Sequence, residues 1–172
     1  MNPPVTVIGI GNPYRRDDGA AACVLARLAP LVDPARVRLV ELDGEPVRLI
    51  QSWEGSQSVW LVDAVRSGRP AGSFHEVAAE RLGEIDDRGV RLGGGHMLGL
   101  GDAVELARVL DVLPAVVRVL GIEGADFADG VGLTAEVDAG CTAAAAHIAA
   151  EIELDYPRVA GATERPSAAA PA

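Results

Sequence analysis

Ser58-Val59-Trp60-Leu61-Val62-Asp63-Ala64-Val65, SVWLVDAV, is apolar at every position except its first and its sixth. A strand with one wet face alternates apolar and polar residues. A nearly continuous apolar run belongs instead to a strand covered on both faces, which is the condition of parallel sheets. The neighbouring segments fit that reading. VTVIGI at Val5–Ile10, VRLVEL at Val37–Leu42 and AVVRVLGIE at residues 115–123 read as further strands, and GSFHEVA at residues 72–78 as an alternating strand at a sheet edge. Helical patterns separate them. One covers residues 18–31 and stops before Asp33-Pro34; a short one covers 45–53, with Pro46 in the first turn, where a missing N–H is tolerated. A third covers 97–110, and an alanine-rich one covers 134–154 with Thr134 as its N-cap. Strands alternating with helices predict an α/β protein, a three-layer α/β/α sandwich around a mostly parallel, roughly five-stranded sheet. The predicted organisation is one domain over residues 1–156, followed by a disordered proline- and alanine-rich tail over 157–172, PRVAGATERPSAAAPA. The sequence contains no internal repeat.

Composition narrows the function. With 172 residues and 49% hydrophobic content, the chain can bury one sizeable core without disulfides or a structural metal. A net charge of −10 argues against nucleic acid or an anionic membrane surface as partner, since both require a basic footprint. All 15 basic residues are arginines, so Schiff-base chemistry and a lysine-containing phosphate loop are excluded. Cys23 and Cys141, in apolar helical surroundings, read as reduced core residues. The start MNPPVTVIG lacks a secretory pattern and no apolar run reaches membrane length, so the expectation is a cytoplasmic protein without membrane insertion.

In an open α/β sheet, ligands bind beyond the carboxyl ends of the strands. Asp17 and Asp18 follow the first strand in GIGNPYRRDDG (residues 9–19), Asp63 stands near the end of SVWLVDAV, and His96 lies in GGGHMLGLGD (residues 93–102) before a helix. Each has an ordinary structural reading: a helix cap, a strand-end turn, a structural histidine. One aspartate of the pair can cap, which leaves the other over. A dinucleotide fingerprint fails because Tyr14 occupies the place of its third glycine. His75 and His147 read as structural. Two carboxylates and one imidazole suit a borderline divalent ion such as nickel, zinc, iron or manganese, whereas magnesium or calcium would prefer oxygen alone. Three ligands also leave room for water, or for a metal brought in by a partner.

Four blocks together, GIGNPYRRDDG, LVDAVRSGRPAG, HMLGLGDAVEL and VLGIEGADFADGVGLTAEV, resemble the hydrogenase maturation endopeptidases over roughly residues 5–152. Those proteins trim the C-terminal extension from the large-subunit precursor of nickel–iron hydrogenases after nickel insertion. The resemblance implies a metal-dependent endopeptidase, aspartic-type by the family's classification, that acts as a monomer. It also implies that Asp18, Asp63 and His96 contact the nickel supplied by the substrate, a position zinc or cadmium can take, with Asp18 or Asp63 as the catalytic carboxylate. An Asp-Gly-Gly-Thr-like turn of the family appears here as Asp43-Gly44-Glu45-Pro46, matching at its first two positions only. Two other functions compete: a metal-dependent checkpoint that docks a nickel protein without cutting it, and a peptidyl-tRNA hydrolase, which shares GIGNP. The acidic charge speaks against the latter.

Overall fold

The computed structural model describes residues 3–78 and 97–157. His96 and all of the predicted tail except Pro157 fall outside the described residues. In chain order the elements are β1 (Val5–Ile10), α1 (Ala20–Leu28), β2 (Val37–Leu42), α2 (Pro46–Trp53), β3 (Ser58–Val65), β4 (Phe74–Ala78), α3 (Met97–Val109), β5 (Val116–Glu123) and α4 (Ala135–Asp155). The five strands form one sheet in the order β2-β1-β3-β5-β4. All neighbours are parallel except β4, which pairs antiparallel with β5 at the edge.

The apolar run SVWLVDAV, which forms β3, is buried along its whole length, as is β1. Side-chain alternation divides the core between the two faces. Val7, Trp60, Val62, Leu120 and Ile122 pack with α1 and α4. Ile8, Ile10, Val59, Leu61, Val65 and Val119 pack with α2 and α3. By the same alternation Asp63, Gly121 and Glu123 fall on the α2–α3 side.

The helix expected over 18–31 is instead a 3₁₀ turn at Arg16–Gly19, then α1, then a second 3₁₀ turn at Ala29–Leu31. Pro30 accounts for the second break, because it lacks the N–H that would continue the α-helical hydrogen bonding, while Ala29 before it stays helical. α4 crosses the β3–β4 loop at two glycines. A Cβ on Gly72 would stand 2.0 Å from the Glu136 carbonyl oxygen, and one on Gly140 would stand 2.1 Å from the Gly72 carbonyl oxygen. Among the described residues, no helix is long and apolar enough to cross a membrane.

Candidate active site

The parallel register carries Ile10 and Asp63 to the same level of adjacent strands, and Gly121 of β5 to that level on the other side of Asp63. Asp63 is 1% exposed, and its Oδ1 has no hydrogen-bond partner among the described residues. Burial, with the neighbouring Asp18 carboxylate adding repulsion, pushes its carboxyl up to about 8. A buried carboxyl of this kind either keeps a proton near neutral pH or requires a cation. Gly121 leaves the next position on the row without a side chain. A Cβ there would stand 3.0 Å from Val65 Cγ1 and 3.3 Å from His75 Cε1.

Asp18 reaches the same place from the β1 side. The chain leaves β1 at Gly11, whose φ is +147° and whose Cβ would lie 2.1 Å from the Asp18 carbonyl oxygen, so glycine is required where the loop folds back on itself. The Asn12 N–H donates to Asp18 Oδ2 at 3.1 Å, and the Arg15 guanidinium stands 4.0 Å from the same oxygen. Asn12 Oδ1 accepts from the Tyr14 N–H at 3.0 Å, closing the loop as an Asx turn. A cavity of about 20 Å³ borders Asp18 and is lined also by Gly11, Pro13, Glu41 and Leu42, room for a single water-sized occupant.

The acidic pair divides its labour, and neither member caps the helix that follows it. Asp17 turns away from Asp18 and accepts from the N–H groups of Ala125 at 2.9 Å, Asp126 at 2.8 Å and Thr134 at 2.7 Å, and from the Thr134 hydroxyl at 3.1 Å. Burial opposes its charge, but these donors outweigh burial and hold the carboxyl below its ordinary value. Thr134 is the N-cap of α4 by position, yet its hydroxyl serves Asp17 and makes no cap bond. Arg16 adopts a left-handed φ of +46°, and its N–H donates to the Gly130 carbonyl at 2.9 Å. Arg15 donates to the Phe127 carbonyl at 3.2 Å, Arg16 pairs with Asp126 at 3.3 Å, and Arg66 lies 4.8 Å above the Phe127 ring. The three arginines therefore gather at the Asp126–Phe127 turn, and Arg15 alone also approaches Asp18.

Sequence reasoning missed Glu123. It is 2% exposed and accepts from the N–H groups of Ser67 and Gly68 and from the Ser67 hydroxyl, each at 2.7 Å. It thus fixes the turn that leaves β3 just after Asp63. The signal was present, since Glu123 closes a buried apolar strand much as Asp63 does. His147 bonds Glu76 at 2.5 Å and sets its ring edge-on to Trp60, with centroids 6.3 Å apart. His75 lies in β4 opposite Gly121. Asp43 is exposed and pairs with Arg48 at 3.0 Å. The unusual Glu45-Pro46 that follows is a helix start: Glu45 accepts from the N–H groups of Val47 and Arg48, and Pro46 takes the first helical position. The structure brings Asp18 and Asp63 together. His96, the third predicted ligand, lies outside the described residues, among which no group of three or more metal-binding side chains converges.

No family model matches the chain, and no curated protein matches its sequence. Solved structures do match. The hydrogenase maturating endopeptidase HybD from E. coli superposes with a TM-score of 0.74 at 20% identity, over 88% of this chain and 93% of that one. The [NiFe] hydrogenase maturation protease HybD from Thermococcus kodakarensis gives 0.70 at 24% identity, over 86% and 97%. The hydrogenase 2 maturation peptidase from a Thaumarchaeota archaeon gives 0.62 at 24%, over 87% and 98%. The chain has the hydrogenase maturation endopeptidase fold. At these identities the likeness establishes architecture, and it extends over nearly the whole length of each relative. Within this fold, Asp63 stands near the carboxyl end of β3 and Asp18 in the loop that follows β1, both buried.

Proposed function

We propose that the protein is an endopeptidase that removes the C-terminal extension of a nickel-loaded hydrogenase large-subunit precursor, acting as a cytoplasmic monomer. The observation that carries this reading is the buried Asp63 carboxyl beside Asp18, at the carboxyl ends of two parallel strands in this fold. Nickel is part of the substrate. Asp18, Asp63 and His96 contact it through two oxygens and a nitrogen, a donor set suited to a borderline ion, and zinc or cadmium can stand in for it. The metal polarises the scissile carbonyl and water attacks its carbon. The C–N bond breaks, and the proton lost by water passes to the leaving amine. Asp63, pushed up to about 8 by burial, is matched to hold a proton near neutral pH until the arriving metal displaces it.

The test is a gel shift of nickel-loaded and nickel-free precursor incubated with the purified protein. The expected result is a shortened product from the loaded precursor alone, with none from the His96→Ala or Asp63→Asn variants. Equal processing of the nickel-free precursor would refute the metal-dependent part. A stable complex without a shortened product would make the protein a checkpoint that docks and does not cut.

A further inference from the structure

The closest meeting of α1 and α4 holds a second chemical group that the peptidase reading does not use. The two helices approach through small side chains, Ala20, Ala21, Ala144 and Ala145, which lets short neighbouring side chains touch. Cys141 is buried at this contact, and its thiol donates to the Ala20 carbonyl oxygen at 3.5 Å. Cys23 lies on α1 between Ala20, which accepts from Cys141, and Arg27, which bonds the residues flanking Cys141, so the two thiols face each other, and Cys23 is only partly buried. Arg27 completes the group. Its guanidinium bridges from α1 to Thr142 Oγ1 at 2.7 Å and Asp138 Oδ1 at 2.6 Å on α4, and it interacts with both sulfurs. A reachable thiol, a buried thiol facing it and a fixed cation beside both form the arrangement in which sulfur is selectively oxidised.

We propose that Cys23 and Cys141 form a reversible oxidation site whose substrate is a hydroperoxide and whose product is a disulfide joining α1 to α4. Cys23 sulfur, the accessible one, attacks the distal peroxide oxygen. The O–O bond breaks, an alcohol (or water, from hydrogen peroxide) leaves with a proton, and Cys23 becomes a sulfenic acid. Arg27 stabilises the negative charge on the attacking sulfur. Cys141 sulfur then attacks Cys23 sulfur, the S–O bond breaks, and hydroxide leaves with the Cys141 proton as water. Two electrons pass from the thiols to the peroxide. Burial, and secondarily the Cys23 sulfur, push the Cys141 thiol up to about 12, which keeps it protonated and out of the first step; in the second it gives up its proton only as hydroxide leaves Cys23. The bond would tie the helix that follows Asp18 to the helix whose N-cap, Thr134, holds Asp17.

The test treats the full chain with hydrogen peroxide and reads intact mass and peptide maps under non-reducing conditions. The expected wild-type product has lost one pair of hydrogens, yields a cross-linked Cys23–Cys141 peptide, and regains both free thiols with dithiothreitol. The Cys141→Ser variant should instead accumulate a sulfenic acid on Cys23 that dimedone traps. The Cys23→Ser variant should leave Cys141 unmodified at the same dose. The wild-type measurement alone decides if either variant folds poorly. Oxygen addition without the cross-link, a disulfide between two molecules, or two thiols still titratable after treatment would each overturn the proposal.

Discussion

Asp63 is 1% exposed and lies beside a second carboxyl, so every ionisation of its side chain within the fold costs free energy. Its folded value near 8 lies above an unfolded value of about 4. Below about pH 4 both states hold the proton and the full stabilisation is present. Between about pH 4 and 8 the unfolded chain releases a proton that the folded chain retains, so stability falls as pH rises; above the folded value the penalty is constant. The metal-free protein is expected to lose roughly 3 kcal/mol from this group between pH 5 and 8. Asp63→Asn cannot ionise and should flatten that slope, making the variant more stable than wild type at pH 8. Urea denaturation in the presence of a chelator at several pH values measures it, and parallel slopes for the two proteins would contradict it. The site residue is thus held against the interest of stability, as expected of a group kept for chemistry. In the sequence, the aspartate stood out because it interrupts an apolar run. The Asp18 carboxyl that raises its pKa was legible only as a neighbour at the same sheet end.

Between elements, acidic and glycine positions set how loops meet helices, and here the sequence was least readable. Asp17 and Asp18 are adjacent, yet they face different parts of the molecule, because the donors that claim Asp17 come from residues 125, 126 and 134. No local pattern announces a partner more than a hundred residues away. Asp17→Ala would leave three part-buried N–H groups and the Thr134 hydroxyl without their acceptor and should cost about 2 kcal/mol, while Asp17→Asn, which keeps one acceptor oxygen, should cost less. The carboxyl of Asp17 is held low, so its contribution is present above the unfolded value and is lost as acid takes pH down through the folded one. Thermal melts of both variants at neutral and acid pH test both statements. The two-glycine crossing is the sharper case. Gly72 has a φ of +78°, so Gly72→Ala adds backbone strain to a collision with the Glu136 carbonyl, whereas Gly140→Ala brings the collision alone. Each should destabilise by about 2 kcal/mol or more. Because both press on the same crossing, the double variant should lose less than the sum of the two, read from a double-mutant cycle.

At the scale of the whole molecule, the buried strands made the fold legible: β1, β2 and β3 run as the apolar pattern places them, and β4 takes the edge its alternation implies. Strand order was not in the pattern, since the run that becomes β3 does not say which strands flank it. That order has a physical consequence for the site. β1, β3 and β5 are each paired on both sides, and β2 and β4 are the edges. Asp63 sits within the central strand, and Asp18 follows the strand paired with it, so both carboxyls are attached to the part of the sheet most costly to open. Native-state hydrogen exchange at low denaturant should therefore show amides of β1 and β3 exchanging only through global unfolding, with a denaturant dependence matching the whole protein's. Amides of β2, and of the eight-residue α2 that follows it, should exchange through smaller openings with a weaker dependence. If β3 opened as readily as β2, a rigid, preformed carboxyl pair would be untenable, and under the proposed function the site would have to assemble when substrate arrives.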